Sequence, residues 1–437
     1  MNRFLFKHID NSGLVIFRAV FGLLITLEAF GAVATGWVRR VMVEPEFTFS
    51  FIDFPWLQPL PGNGMYFYFI VMGICGILVM LGYKYRIAIL GYTVMWAGVY
   101  FMQKTSYNNH YYLLLLLLCF MSILPAHRWF SLDAKYSPKV RSTSMPRWCA
   151  LVIILQVWIV YTYASVAKLY PDWLDTSMAK LLMSSKADYW LIGDILQQHW
   201  VHYAITYVGI FFDLLIVPLL LWKRTRMAIF IVSIFFHLFN SIVFQIGIFP
   251  YMSIAFALFF FTPKTIQQRF LPKKPFYDKG EVLVPSYKKP LLIVFSVYFL
   301  IQIGLPLRHW FIEDNVLWTE EGHRLSWRMM LRTKSGSIKV NVVDKNTCED
   351  FRIDIYSKLS HRQRRSLATK PDFMWQYAQR LKKEYAAQGR DVAVYMDSKI
   401  SVNRKGFKQL TDPTVDLAAE KWYYFKHHTW LMPSDLE

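Results

Sequence analysis

Residues 148–169 read WCALVIILQVWIVYTYASVAKL, a run of about 20 largely apolar residues that is long enough to span a bilayer as a helix. Its only cation past the first turn is Lys168, at the far end of the run. In one interpretation, the lysine stem lies in lipid while the ammonium group reaches the interface. In the other, the amine is partly desolvated and acts as a base. Other residues along the chain must decide between the two.

The composition is that of an integral membrane protein. Hydrophobic residues make up 55% of the 437 residues, and the mean hydropathy is positive. The formal net charge is 49 − 30 = +19, which in a soluble protein would suggest binding to nucleic acid. Much of this charge lies in short loops between apolar stretches, so membrane topology explains it better, and no nucleic-acid partner is expected.

The sequence contains no recognised metal or nucleotide motif. Of the cysteines, Cys348 alone lies outside the apolar stretches, so neither a disulfide framework nor a CxxC site is indicated. Walker, GxGxxG and HExxH patterns are absent. His427-His428 lacks the spaced partners that a metal ion would need. No metal is therefore predicted. No small-residue cleavage pattern follows the first apolar stretch, so we expect that stretch to remain as a span.

The hydropathy pattern predicts a helical transmembrane domain over residues 1–307, with about nine spans. Little more than Gly247 separates the seventh apolar stretch from the eighth. One of these two stretches is therefore expected to be broken or re-entrant. The predicted spans are about 13–35, 65–83, a stretch ending near Met102, a leucine-rich stretch from Tyr111, 148–169, 201–222, 227–246, 248–262 and 290–307.

Residues 308–437 are predicted to form a soluble α+β domain. Residues 337–342 alternate as a strand does, and residues 350–356 resemble its hairpin partner. Residues 391–396 resemble a further strand, and Phe373, Tyr377 and Leu381 have helical spacing.

Basic loops indicate the orientation of the chain. Residues 84–86, 126–147, 223–226 and 263–289 carry the loop lysines and arginines, and nine spans would place all four loops on one side with the N-terminus. The positive-inside rule makes that side cytoplasmic. The C-terminal domain, Lys168 and two further polar clusters would then converge on the extracytoplasmic face.

Those two clusters are Asn108-Asn109-His110 and the region of His237 and Asn240. His237 and Asn240 are three residues apart and share a helix face. Tyr161 lies seven residues before Lys168 on the same face. Functional use and ordinary structural use both remain open, because polar groups near lipid also serve as helix caps, interhelical hydrogen bonds and interfacial anchors.

The soluble domain contributes further candidates. Trp327, Met329 and Met330 could line an apolar pocket, although such a stripe also serves ordinary packing. Arg332 and Lys334 are candidate counter-charges for a substrate carboxylate, and both could equally be solvated surface residues.

These segments together resemble the vitamin K-dependent γ-glutamyl carboxylase family. Each motif is weak alone, and their order along nearly the whole chain, from about residue 13 to 433, makes the set specific. The motifs are Phe17-Arg18 with Phe21-Gly22, Lys104-Thr105-Ser106 leading into Asn108-Asn109-His110, Val166-Ala167-Lys168-Leu169 followed by Asp172-Trp173, Phe236-His237 with Asn240-Ser241, Ile246-Gly247 and Phe249, Ser326-Trp327 with Met329-Met330, and Asp412-Pro413 with Val415-Asp416.

The resemblance implies a membrane enzyme that uses reduced vitamin K, oxygen and carbon dioxide as co-substrates. It would convert glutamate in a protein or peptide to γ-carboxyglutamate and release the quinone epoxide. Lys168 matches the position of the family's catalytic base, and His110 matches a histidine associated with the oxygenated quinone, with Asn109 as its expected helper. Asn108, Tyr161, His237, Asn240, Trp327, Met329 and Met330 are then expected to bind the quinone, and Arg332 and Lys334 the substrate.

Two departures from the family pattern stand out. Vertebrate members carry two adjacent lysines, whereas the first of these positions is Ala167 here. Vertebrate chains also continue well beyond this one's last residue, so substrate recognition directed by a propeptide is not expected.

Two rival functions remain. One is a membrane enzyme that oxygenates a quinone but acts on a different acceptor, and the other is a non-enzymatic quinone-binding or transport protein. A transporter is expected to show repeated halves with interrupted spans, and this sequence shows no repeat. The few cysteines outside the spans and the short C-terminal region favour a bacterial inner membrane.

Overall fold

The computed structural model describes residues 2–434, which form a mainly helical N-terminal part and a mixed C-terminal part. The longer helices of the first part, in chain order, are α1 (Ser12–Ala34), α2 (Gly64–Leu81), α3 (Tyr85–Met102), α4 (Asn109–Ile123), α5 (Trp148–Val166), α6 (His199–Leu221), α7 (Arg226–Phe244), α8 (Phe249–Ala255), α9 (Pro263–Phe270) and α10 (Lys288–Leu307). Short helical turns include Lys104–Ser106, Pro171–Leu174, Ser177–Ser184 and Gly193–Leu196.

Among residues 2–434, six helices are long and apolar enough to cross a membrane by themselves, namely α1, α2, α5, α6, α7 and α10. A seventh candidate is the segment Phe249–Phe259 with α9, which bends by 115°. This bend agrees with the expectation that the seventh or eighth stretch is broken. The predicted third and fourth stretches form α3 and α4, but α4 has only 15 residues, about 22 Å of helix. These apolar helices support the predicted membrane character, and the count of nine spans stays a prediction.

Close packing of α1 on α2 builds the centre of the bundle. A side chain at Gly22 would meet the Met80 backbone at 2.3 Å, so only glycine allows this approach of the two helices. By contrast, only 11% of the α10 segment and 17% of α7 are buried in the protein. These two helices therefore offer apolar surface to lipid.

The C-terminal part contains a four-stranded antiparallel sheet with helices on one face. The N-terminal part has two short strands of its own, β1 (His8–Asp10) and β2 (Ser144–Pro146), which pair near the end of the bundle that lies away from this sheet. The sheet has the order β4-β3-β5-β6, and its strands and main helices are β3 (Lys334–Asp344), β4 (Asp350–Arg352), β5 (Val392–Val402), β6 (Lys408–Gln409), α11 (His361–Thr369) and α12 (Pro371–Ala386).

The predicted strands and helix of this part are therefore present, with different lengths. β3 and β5 extend beyond the predicted ranges, because they pair with each other along all of β3. The predicted hairpin partner ends at Arg352, where Asp354 caps a short helical turn through the Tyr356 N–H.

A buried charged cluster joins the two parts of the protein. Lys104 Nζ lies 2.6 Å from Asp372 Oδ2, and Arg324 Nη1 lies 2.6 Å from the same oxygen. Burial acts to raise the pKa of Asp372, but Arg324 and Lys104 outweigh it and hold that pKa at about 2. Asp372 is therefore ionised at neutral pH, and its contact with Lys104, between α3 and α4, joins the C-terminal part to the helices.

Candidate active site

A largely apolar cavity of about 460 Å³ opens where several helices end. The C-terminal ends of α5 and α7 and the N-terminal ends of α4, α6 and α8 meet there, beneath the loop that carries Met329 and Met330. Most of the wall is aliphatic or aromatic. Its polar lining side chains, including those of tryptophan and tyrosine, are His110, Tyr161, Lys168, Trp173, Trp200, Asp213, His237 and Asn240.

Lys168 enters this cavity because α5 stops just before it. Tyr170 is extended, as is usual for a residue that precedes proline, and the turn places the Lys168 N–H on Ser165 O at 3.0 Å. The Lys168 side chain is 10% exposed. Its Nζ lies 2.5 Å from Asp213 Oδ2 on α6 and 3.4 Å from Gly209 O. The amine is thus held inside the protein by a carboxylate rather than directed to the interface.

Asp213 is the functional candidate that the sequence reasoning missed. It is the sole Asp or Glu in α6, and an ionisable group in an apolar span usually marks a functional site or a paired charge. That signal was present in the sequence, and it would have found Asp213 before any geometry was known.

Tyr161 and His237 face the cavity as a hydrogen-bonded pair. The Tyr161 hydroxyl lies 3.0 Å from His237 Nε2. The His237 side chain is buried, and its Nδ1 has no hydrogen-bond partner among residues 2–434. Buried polar atoms in proteins are usually satisfied, so this nitrogen is one whose partner the described residues do not supply.

His110 and Asn240 also line the cavity without polar partners. The His110 ring stacks on Phe249 with centroids 4.2 Å apart. Within the described part of the chain, neither His110 nor the Asn240 amide forms a hydrogen bond. Both side chains are therefore available to a ligand in the cavity.

The loop above the cavity has a strained backbone. Leu325, Trp327 and Met330 have φ angles of 60°, 57° and 57°, a left-handed conformation that side chains other than glycine rarely adopt. Met329 and Met330 reach the cavity wall. Trp327 does not line the cavity, because it is fully buried and stacks on Tyr112 at 4.8 Å. Strain of this kind is common at ligand sites.

Asn108 and Asn109 lie beside the cavity with structural contacts. The Asn108 side chain caps α4 by accepting a hydrogen bond from the Tyr111 N–H at 2.7 Å. Asn109 Nδ2 donates to Arg328 O at 2.9 Å, and its Oδ1 accepts from the Tyr107 hydroxyl at 3.0 Å. These bonds hold α4, and therefore His110, against the upper loop. Neither asparagine lines the cavity. The catalytic role predicted for Asn109 beside His110 and the quinone-binding role predicted for Asn108 stay predictions.

Arg332 and Lys334 are not brought to the cavity, and both contact Glu320. Lys334 Nζ lies 2.9 Å from Glu320 Oε1, and Arg332 forms a bidentate ion pair with the same carboxylate. Burial acts to raise the pKa of Glu320, but Arg332 and Lys334 outweigh it and hold that pKa well below its ordinary value. Both cations thus share one carboxylate within the protein, and their assignment to substrate binding stays a prediction.

A second cavity of about 410 Å³ lies on the other side of the Lys168 turn, between the helix ends and the C-terminal part. Ala167, Leu169 and Tyr170 line it, whereas Lys168 lines the first cavity. Arg328 also lines the second cavity, and the next two residues line the first. One turn of chain therefore separates the apolar cavity from a more polar one that faces the C-terminal part.

Comparison with known families covers both parts of the chain. The model described as HTTM domain matches residues 6–264. The model described as vitamin K-dependent gamma-carboxylase, lumenal domain, matches residues 287–437. No solved structure gives a significant match.

The first match covers more than half of the chain, and the second covers the C-terminal part together with α10. They follow each other in the order that the sequence motifs predict. The resemblance is confirmed, and the chain belongs to the vitamin K-dependent gamma-carboxylase family.

Proposed function

We propose that this protein is an enzyme that couples oxygenation of a reduced quinone, to the epoxide, with carboxylation of glutamate in a protein to γ-carboxyglutamate. The observation that carries the proposal is the Lys168–Asp213 pair in the wall of an apolar cavity, at 2.5 Å. Lysine that only anchors a span has no need of a carboxylate inside the membrane. The paired charges indicate that a proton is transferred at this point of the cavity wall.

The cavity fits a quinone. Its volume of about 460 Å³ lies in the range of sites for small ligands. The apolar walls suit a fused aromatic ring, and His110, Asn240 and His237 Nδ1 offer polar contacts that the protein leaves unused. Reduced vitamin K, once bound, supplies through its reaction with oxygen the strong base that a glutamate γ-C–H requires.

The protein's own part in this chemistry is to accept one proton and exclude water. Lys168 and Asp213 together are electrically neutral, whether as ammonium and carboxylate or as amine and carboxylic acid. In the second form, the Lys168 amine can take up one further proton from a quinol hydroxyl, and the pair then consists of ammonium and carboxylic acid. The surrounding aliphatic residues keep water from the reacting groups.

Glutamate would approach by a different route from the quinone. The second cavity faces the C-terminal part and reaches the opposite side of the Lys168 turn. An apolar quinone can enter between helices from lipid, while a peptide enters from the aqueous side. The Lys168 turn is the part of the protein where the two routes meet.

The decisive assay uses protein purified in detergent, reduced vitamin K, labelled carbon dioxide and a glutamate-rich peptide. We expect oxygen-dependent formation of quinone epoxide together with incorporation of label at glutamate. Epoxide without label would favour a different acceptor. Absence of both products from folded protein that still binds the quinone would favour a non-enzymatic quinone-binding or transport protein.

Asp213 is predicted to position Lys168 and to share its proton. Asp213→Asn is expected to lower kcat for epoxidation about tenfold to a hundredfold, because Lys168 loses the carboxylate that positions its amine and shares its proton. The KM for the quinone should change little, because the quinone does not need Asp213 for binding. Steady-state kinetics check this, with partial recovery expected in Asp213→Glu. Asp194→Asn, at an exposed position nearby, is the matched control, and near-normal kcat in Asp213→Asn would contradict the assignment.

The topology and the domain boundary at residue 307 are also proposals. Reporter tags in the loops 126–147 and 263–289 should report cytoplasmic, and a tag at the C-terminus extracytoplasmic, in a bacterial inner membrane. The reason is the concentration of lysine and arginine in those loops. A cytoplasmic C-terminus would exclude an odd number of spans and place the catalytic face on the other side.

A further inference from the structure

A groove of about 790 Å³ runs along β3, well separated in the chain from the residues proposed for catalysis. Its floor is the first half of β3, residues 334–339. Its walls are residues 352–356, where the chain leaves β4, and four residues of α11, namely His361, Arg364, Arg365 and Ala368. β4 pairs only with residues 341–343, so the groove lies beside the half of β3 that has no strand on that side.

The backbone of β3 directs unused hydrogen-bonding groups into this groove. Ser398, the β5 partner of Ile338, directs its own N–H and C=O away from β3, toward Thr411 and Leu410. Ile338 is therefore in a non-hydrogen-bonded pair, and its N–H and C=O point away from β5. The same alternation applies to Gly336. Farther along, Val340 O accepts from the Ile353 N–H on that side, but within residues 2–434 no backbone partner reaches Gly336 or Ile338 there.

The side chains around the groove are mostly basic. Lys334, Lys339, Arg352, Arg364 and Arg365 line it, against one carboxylate, Asp354. Of the five basic side chains, Lys334 alone forms an ion pair in the described part of the chain. Arg364 bonds only backbone oxygens, and Asp354 is occupied as a helix cap. The groove thus presents excess positive charge beside an open strand edge.

We propose that this groove binds an acidic, extended segment of another protein as an added strand alongside β3. Strand addition uses free backbone groups for affinity and side-chain pockets for selectivity. The basic walls select glutamate and aspartate in the incoming segment. This proposal does not depend on the reaction. The further step, that the bound segment belongs to the carboxylation substrate, rests on the proposed function.

The location of the groove makes that further step reasonable. Lys334, at the end of the groove, is four residues from Met330, which lines the apolar cavity. Four extended residues span at most about 14 Å. A segment held along β3 would therefore keep neighbouring glutamates near the catalytic face of the protein.

The test measures binding of a fluorescent decapeptide of alternating glutamate and valine to the full-length protein in detergent, without quinone. Its glutamine counterpart is expected to bind at least about tenfold more weakly. The double variant Arg352→Glu/Arg365→Glu should also bind the glutamate peptide at least about tenfold more weakly. Both arginines are exposed and have no side-chain hydrogen bond in residues 2–434, so the variant should fold. Lys421→Glu/Lys426→Glu, on exposed residues elsewhere in the C-terminal part, is the charge-matched control.

N-methylation of alternate peptide residues then tests the strand. Methylation in one register should weaken binding about tenfold or more, because it removes the amides that face β3. Methylation in the other register should have little effect. If binding depends on charge but peptides methylated in either register bind equally well, strand addition is overturned. If the glutamine peptide binds as tightly as the glutamate peptide, or if the arginine double variant binds the glutamate peptide as tightly as the unchanged protein does, the groove is not the binding site. None of these results depends on catalysis, so the proposed function could fail separately.

Discussion

Lys168→Ala and Lys168→Arg are both expected to abolish epoxidation and carboxylation together. Loss of a general base typically lowers a rate by about 10²–10⁴-fold. Lys168 lines the apolar cavity and lies 2.5 Å from Asp213, so removal of its amine leaves the pair without its proposed function. Both products should disappear in parallel, because proton removal from the quinol precedes both.

The arginine variant separates a base from a membrane anchor. An arginine also extends from lipid to the interface, so a lysine that only anchors α5 would tolerate this change. Arginine does not lose its proton in proteins, so the variant has no neutral amine at position 168 to accept the quinol proton. Small amines should partly restore the alanine variant and not the arginine variant. Raising the pH should help the alanine variant, since hydroxide can begin to replace the base.

The control is Lys180→Arg, on an exposed lysine of the same outer region, which should keep full activity. Quinone epoxide and labelled γ-carboxyglutamate are measured for all variants, with thermal unfolding in detergent as the check of folding. Near-normal epoxidation in Lys168→Arg would falsify the base assignment, and the proposed mechanism would fail with it.

The sequence pattern was sufficient for the elements of the fold because apolar periodicity is local information. It placed α5 and the helix containing Phe373 and Tyr377, and it found β3 and β5. It could not fix the number of spans, because α4 is short and the segment after Phe249 bends by 115°. Whether such segments cross a membrane depends on packing and not on hydropathy alone.

The candidate site was predictable only in part. Lys168, His110, His237 and Asn240 meet at one cavity, as the grouping of polar clusters on one membrane face suggested. The pairing of Arg332 and Lys334 with Glu320 could not be predicted from the sequence, because Glu320 gives no local signal. The same applies to Asn109, whose bond to Arg328 O joins positions far apart in the chain.

His110→Ala is expected to lower epoxidation by about 10²–10³-fold, the usual effect of losing one hydrogen-bond donor that stabilises developing negative charge. The ring faces the apolar cavity, and among the described residues it has no hydrogen-bond partner of its own. Its donor is therefore free to bind an oxygen of the ligand. Steady-state epoxide formation at saturating quinone measures this effect.

His110→Phe tells hydrogen bonding from packing. Phenylalanine can keep the stacking on Phe249, which has centroids 4.2 Å apart, but it offers no donor. If His110 only packs, His110→Phe should be nearly normal while His110→Ala is impaired. If His110 donates a hydrogen bond, both variants should lose activity to a similar extent, and His110→Gln should recover part of it. His199→Ala, on an exposed histidine at the start of α6, should be unaffected. Near-normal turnover in a folded His110→Phe variant would leave packing on Phe249 as the role of His110.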